Sequence, residues 1–207
     1  MSRQPRGRRA GFFSSACGLM VLVATAAVAK DLAPFRATLA VHWGSGAGSD
    51  AFRDDLARSL ASSLATGCFA GVAMARADSA DETSDVVFDV LLSDAIDETR
   101  FDDSIAGALQ PGEPTKELRR VSHFEVTVEA SLTTRESGAL VQKKHLVAHV
   151  TRRPLYVGED VQATVRAEAI DDIVRDLTRA LGCGGAKLPQ KIREALGEAG
   201  KASPAPR

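Results

Sequence analysis

Four sets of residues have types and spacings that could do chemistry: a glycine cluster, four histidines, several adjacent acidic pairs and two cysteines. Gly44-Ser45-Gly46-Ala47-Gly48 lies between a strand pattern and a helix pattern, the context in which backbone N–H groups and a helix dipole can face a phosphate. Ser49 stands where a dinucleotide fingerprint places its third glycine, no acidic residue follows at a strand end about 20 positions on, and no Lys-Ser/Thr pair is present. A flexible turn is therefore expected. His123, His149 and Glu125 share one face of a predicted hairpin and could hold zinc, but a structural site wants four ligands. His145 is four residues from His149, about 13 Å along a strand, and His42 lies on another element. Solvated histidines, with no metal and no cofactor, are the expectation. No Gly-x-Ser-x-Gly elbow is present, and no cysteine-protease signature surrounds Cys68 or Cys183. Asp54-Asp55, Asp102-Asp103 and Asp171-Asp172 are sequence neighbours that diverge on a helix or strand, which suits solvated charges better than an acid/base pair. No catalytic residue is expected.

The compartment in which such chemistry could operate is set by the amino terminus. Arg3, Arg6, Arg8 and Arg9 precede an apolar stretch from Phe12 to Val28, which closes with Ala27-Val28-Ala29 before Lys30. This is the pattern of a signal peptide cleaved between Ala29 and Lys30. The stretch is short and rich in Ala, Ser and Gly for a spanning helix. Ser14-Ser15-Ala16 before Cys17 lacks the aliphatic residue of a lipobox, so lipidation there is not expected. Arg8-Arg9 ahead of Phe12-Phe13 is one residue off a twin-arginine signal, which favours the general secretory route. Removing four arginines from 26 basic against 27 acidic residues leaves 22 against 27, a net charge of −5. With few aromatic residues, that balance argues against nucleic acid or an anionic membrane as the main partner. A periplasmic or secreted protein results, without a transmembrane segment after processing.

The elements that must position these residues read β-α-β-β-β-β-α. Phe35–Trp43 is a strand, and Phe52, Leu56, Leu60 and Leu64 then recur every four residues in a helix capped by Ser49 or Asp50 and stopped at Gly67. Cys68–Met74 and Val86–Leu92 are short strands separated by a polar loop with Asp78, Asp81 and Glu82, and Thr99–Glu117 is irregular, broken by Pro111-Gly112 and Pro114. Phe124, Val126, Val128, Ala130 and Leu132 alternate with polar residues, as in a strand with one wet face. Leu140–Val150 follows a turn, and pairing Leu132 with Leu140 sets Glu129 opposite Lys143, Val126 opposite Leu146 and His123 opposite His149. Val161, Val165, Ala169, Ile173, Leu177 and Leu181 form a second helix ended by Gly182. The fold class is α/β of the α+β kind: a two-layer sandwich with a mixed, mostly antiparallel sheet and two helices on one face. Residues 1–29 are the signal peptide, 30–185 one domain, and 186–207 a short helix at Ile192–Leu196 with a disordered tail.

Cys68 and Cys183 each follow a helix-ending glycine. Two parallel helices side by side on one sheet face would bring these ends together, and an exported protein keeps a disulfide. Two buried free thiols are the alternative, since connectivity does not follow from sequence.

The order of elements and the turn Thr133-Thr134-Arg135-Glu136-Ser137-Gly138-Ala139-Leu140-Val141 resemble bacterial envelope modules of the penicillin-binding-protein-activator and curli-secretion-lipoprotein kind, over about residues 35–183. The resemblance implies a protein-binding accessory role without catalysis and supplies no functional residue. Two functions are carried forward. One is an exported envelope accessory or assembly module that contacts another protein through the long loop, with Phe101, Ile105 and Leu109 as contact residues. The other is a small-ligand or anion-binding protein that uses Gly44–Ser49 beside Thr99–Glu117.

Overall fold

A computed structural model of the chain describes residues 33–44, 48–75, 83–102 and 118–202. Ala29 and Lys30, Cys17, the polar loop around Asp81, Ile105, Leu109 and the tail after Ala202 lie outside the described residues. The elements are β1 (Ala33–Trp43), α1 (Asp50–Gly67), β2 (Phe69–Met74), β3 (Val86–Phe101), β4 (Arg120–Thr134), β5 (Leu140–Arg152), α2 (Val161–Leu181) and α3 (Lys187–Ala202). The five strands form one open sheet in the order β2-β1-β3-β4-β5. β1 runs parallel to β2 and β3, and β3, β4 and β5 form an antiparallel meander with the longer ladders. The fold is α+β with a mixed sheet, as its alternating and four-residue patterns predict.

The helices form where apolar residues recur on one face. Phe52, Leu56, Leu60 and Leu64 of α1 are buried, and Ser49 caps the helix by accepting the Phe52 N–H at 3.4 Å. In α2, Val165, Ala169, Ile173 and Leu177 are buried, Asp160 accepts the Ala163 N–H at 3.0 Å, and Gly182 ends the helix at φ 70°. A left-handed residue there costs glycine nothing. Both helices cover the sheet face that carries Leu39, Phe88, Leu92, Phe124, Val128 and Leu132. The opposite face, with His123, Glu125, Glu129 and His149, is turned to solvent.

Three expectations are corrected. First, β3 continues through Thr99, Arg100 and Phe101, which pair with Ser122, Val121 and Arg120. Asp94, at φ 53°, carries a bulge between Ser93 and Ile96, after which the strand is polar and no longer alternates. Pairing with β4, and not its own pattern, keeps this part extended. Second, the hairpin register is shifted by two residues, each β4 residue meeting a partner two positions further along β5 than expected: Leu132 pairs with Gln142 and Val126 with Ala148. Thr134 N donates to Ala139 O at 2.9 Å, Gly138 turns the chain at φ 67°, and a register shift follows at Leu132/Thr133. A shift of two keeps every side chain on its face. Glu129 still reaches Lys143 at 3.1 Å, now diagonally. Third, the last helix runs from Lys187 to Ala202, starting five residues before the expected start at Ile192 and ending six beyond the expected end at Leu196, where a disordered tail is expected. Pro189 sits in its first turn, where a missing N–H costs nothing. Leu188 and Ile192 of α3 are fully buried in the same core as α1 and α2.

Candidate functional site

At the end of the sheet where β3 stops and β5 hands over to α2, four large apolar side chains stand in solvent. Leu155 is 76% exposed, Tyr156 64%, Phe101 58% and Val157 47%. The Leu155–Val157 segment is held from below: Leu155 N–H donates to the Glu159 carboxylate at 2.6 Å, Glu159 N–H reaches Tyr156 O at 3.4 Å, and Gly158 turns back at φ 88°. An ion pair between Arg153 and Asp102 ties this segment to the end of β3. Phe101 pairs across the ladder with Arg120, which lines a hollow of about 280 Å³ together with Thr99, Ser122, Tyr156 and Gln162. Of the expected contact residues, the structure thus places Phe101 at this end, while Ile105 and Leu109 are not described. The sequence does carry a signal for the other three. Leu155-Tyr156-Val157 is an apolar triplet bracketed by Pro154 and Gly158, outside any periodic pattern.

On the solvent face of the sheet, the observed register puts Glu125 opposite His149 and His123 opposite Thr151. His123 Nδ1 lies 3.2 Å from His149 Nε2, and each of these nitrogens is 3.1 Å from Thr151 Oγ1. His123 Nε2 is 4.0 Å from the Glu125 carboxylate. His123, Glu125 and His149 are the residues of this face that could hold a metal, with ligand atoms all within 4.8 Å of one another. His145 stands across from Glu129, away from the group, and His42 pairs with Asp89 at 3.3 Å on β1 and β3.

Cys68 and Cys183 form a disulfide, their Cα atoms 4.5 Å apart. It joins the carboxyl ends of α1 and α2. The last glycine of the cluster is explained by packing. A side chain on Gly48 would meet the Trp43 ring at 2.0 Å, and that ring packs on Phe52 with centroids 6.4 Å apart. Gly44 N–H is committed to Leu92 O at 2.8 Å, and the Ser49 hydroxyl to the helix it caps. The nearby cation Arg53 binds Asp50 at 2.9 Å and Asp54 at 2.8 Å. The hydrogen bond to Asp54 raises its pKa above the ordinary guanidinium value, opposed in part by desolvation. Ser45–Ala47 of the turn lie outside the described residues.

Fold and exposed end together define an α+β module with one helical face, one bare sheet face and an apolar rim. Among the described residues, no helix is long and apolar enough to cross a membrane. No family model matches the chain, and no curated protein matches it. Solved structures do resemble it. A homolog of a neuraminyllactose-binding hemagglutinin from Helicobacter pylori is similar at a TM-score of 0.49 and 10% identity, covering 82% of this chain and 93% of that one. A DUF330-family protein from Xanthomonas campestris is similar at 0.43 and 13%, covering 78% and 91%. A minor lipoprotein from Acinetobacter baumannii is similar at 0.40 and 14%, covering 72% and 92%.

Proposed function

We infer that this chain is an exported, non-catalytic accessory module of the bacterial envelope that binds another protein through the end of its sheet. The observation that carries the reading is the exposure of Phe101, Leu155, Tyr156 and Val157 at one end of the molecule. Leaving four large apolar groups in water forgoes the burial free energy that such side chains normally gain, and an apolar patch with a polar border marks a contact site. Arg153, Asp102, Arg120 and Glu159 supply the border. The loop is pinned through its backbone, so its side chains are displayed with little ordering left to lose on binding. Export to the periplasm or medium rests on the Ala27-Val28-Ala29 pattern before Lys30. The resemblance of the hairpin turn to that of penicillin-binding-protein-activator and curli-secretion modules supports the same kind of role.

The test is capture of partners from envelope extract by the full chain, compared with a Leu155→Ser/Tyr156→Ser variant. Both positions are exposed, so thermal stability should stay within about 0.5 kcal/mol of the parent. Captured protein should be lost. Full capture by a folded variant would move the contact elsewhere.

A second reading, a small polar ligand, is favoured by one observation. The Gln162 Nε2 atom is buried without a hydrogen-bond partner beside the hollow that it lines with Thr99 and Ser122. That hollow lies under the Pro154–Asp160 loop, not at Gly44–Ser49 where the sequence places the candidate pocket.

A further inference from the structure

We propose that His123, Glu125 and His149 form a binding site for a divalent transition-metal ion of the zinc class on the bare face of the sheet, at the β4/β5 ladder. The inference is independent of the protein contact argued above. It departs from the expectation of solvated histidines because the true register differs from the expected one by two residues. In the expected pairing Glu125 faces Val147. In the observed pairing it faces His149 directly, and His123 lies one residue pair away on the same face.

The donor chemistry fits. Two imidazoles and a carboxylate are a ligand set that zinc accepts, and three protein ligands with one open position are the arrangement of a site reachable from solvent. The distances fit as well. Bonds of about 2.0–2.1 Å in a tetrahedron hold ligand atoms about 3.3–3.4 Å apart. His123 Nδ1 and His149 Nε2 are 3.2 Å apart already. No ligand atom is more than 4.8 Å from another, so the carboxylate must close by no more than about 1.5 Å to reach tetrahedral spacing. These two ring nitrogens and the Thr151 hydroxyl, 3.1 Å from each, crowd one point of the sheet face. A cation resolves that crowding by accepting both lone pairs. Glu98, paired with Arg100, stands opposite His123 on β3.

The experiment is calorimetric titration of Zn²⁺ into the full chain made without an affinity tag, beside His149→Ala, Glu125→Gln and His145→Ala. All three positions face solvent on the sheet, and circular dichroism confirms that each variant is folded. The expected result is one ion per chain for the parent and for His145→Ala, with affinity at least tenfold weaker for His149→Ala and Glu125→Gln. Acidification should release the ion, since both imidazoles must be neutral to bind it. Parent affinity in His149→Ala or Glu125→Gln, equal weakening in His145→Ala, or no saturable binding by the parent would overturn the site.

Discussion

Removing the bridge between Cys68 and Cys183 should cost about as much stability as the largest single truncations in the core. The two cysteines are 115 residues apart in sequence. Closing a loop of that length lowers the entropy of the unfolded chain by an amount worth about 4.8 kcal/mol near room temperature in the chain-entropy model. A domain is held by roughly 5–15 kcal/mol in total, so the loss takes a third of that or more. The variant is Cys68→Ala/Cys183→Ala. Cys68 is 1% exposed, and alanine there leaves only a sulfur-sized void, whereas serine would bury a hydroxyl. At roughly 2–4 °C per kcal/mol for a chain of this size, Tm should fall by about 10–20 °C. Differential scanning calorimetry measures it, and the parent treated with a reductant should fall by a similar amount. The midpoint should move with little change in native circular dichroism, because the bridge acts on the unfolded chain. A fall below about 3 °C in both samples, near 1 kcal/mol, would refute the reasoning. It would mean that the unfolded chain is already restricted where the bridge restricts it.

Two further outcomes test how the frame is built. Gly48→Ala drives a methyl group into the Trp43 ring and should destabilise by about 1–3 kcal/mol; the chain has a single tryptophan, so its fluorescence should shift with the ring, and an unchanged spectrum with unchanged stability would show the glycine to be dispensable. Ile192→Ala empties a fully buried position and should cost about 2–5 kcal/mol in denaturant titration, whereas a loss under about 1 kcal/mol would show α3 to be separable from the core.

Much of this frame was legible because its signals are local and periodic. The four-residue spacing of Phe52 to Leu64 and of Val161 to Leu181 specifies both helices, and glycines at 67 and 182 mark where each ends. The alternation from Phe124 to Leu132 specifies β4 and its wet face. What could not be read depends on partners. β3 beyond Asp94 is polar and is extended only because β4 lies beside it. The start of α3 is masked by Pro189, which a first turn tolerates.

The candidate sites show the same division more sharply. A strand's pattern has period two, so it fixes which face a residue occupies and leaves its neighbours undetermined by any even shift. His123, Glu125 and His149 could therefore be assigned to one face from sequence, while the question that matters for a metal, which of them stand opposite, was left to the turn. Thr134, Gly138 and the bulge after it settle that question by shifting the pairing two residues along β5, and the carboxylate moves from facing Val147 to facing an imidazole. Exposure at the far end is hidden for a related reason. Leu155-Tyr156-Val157 reads like three residues awaiting burial, and the hydrogen bonds of Glu159 and the ion pair of Arg153 with Asp102 hold them outward. In both places the chemistry-bearing side chains are specified locally, and the geometry that could make them functional comes from a turn or loop several residues away.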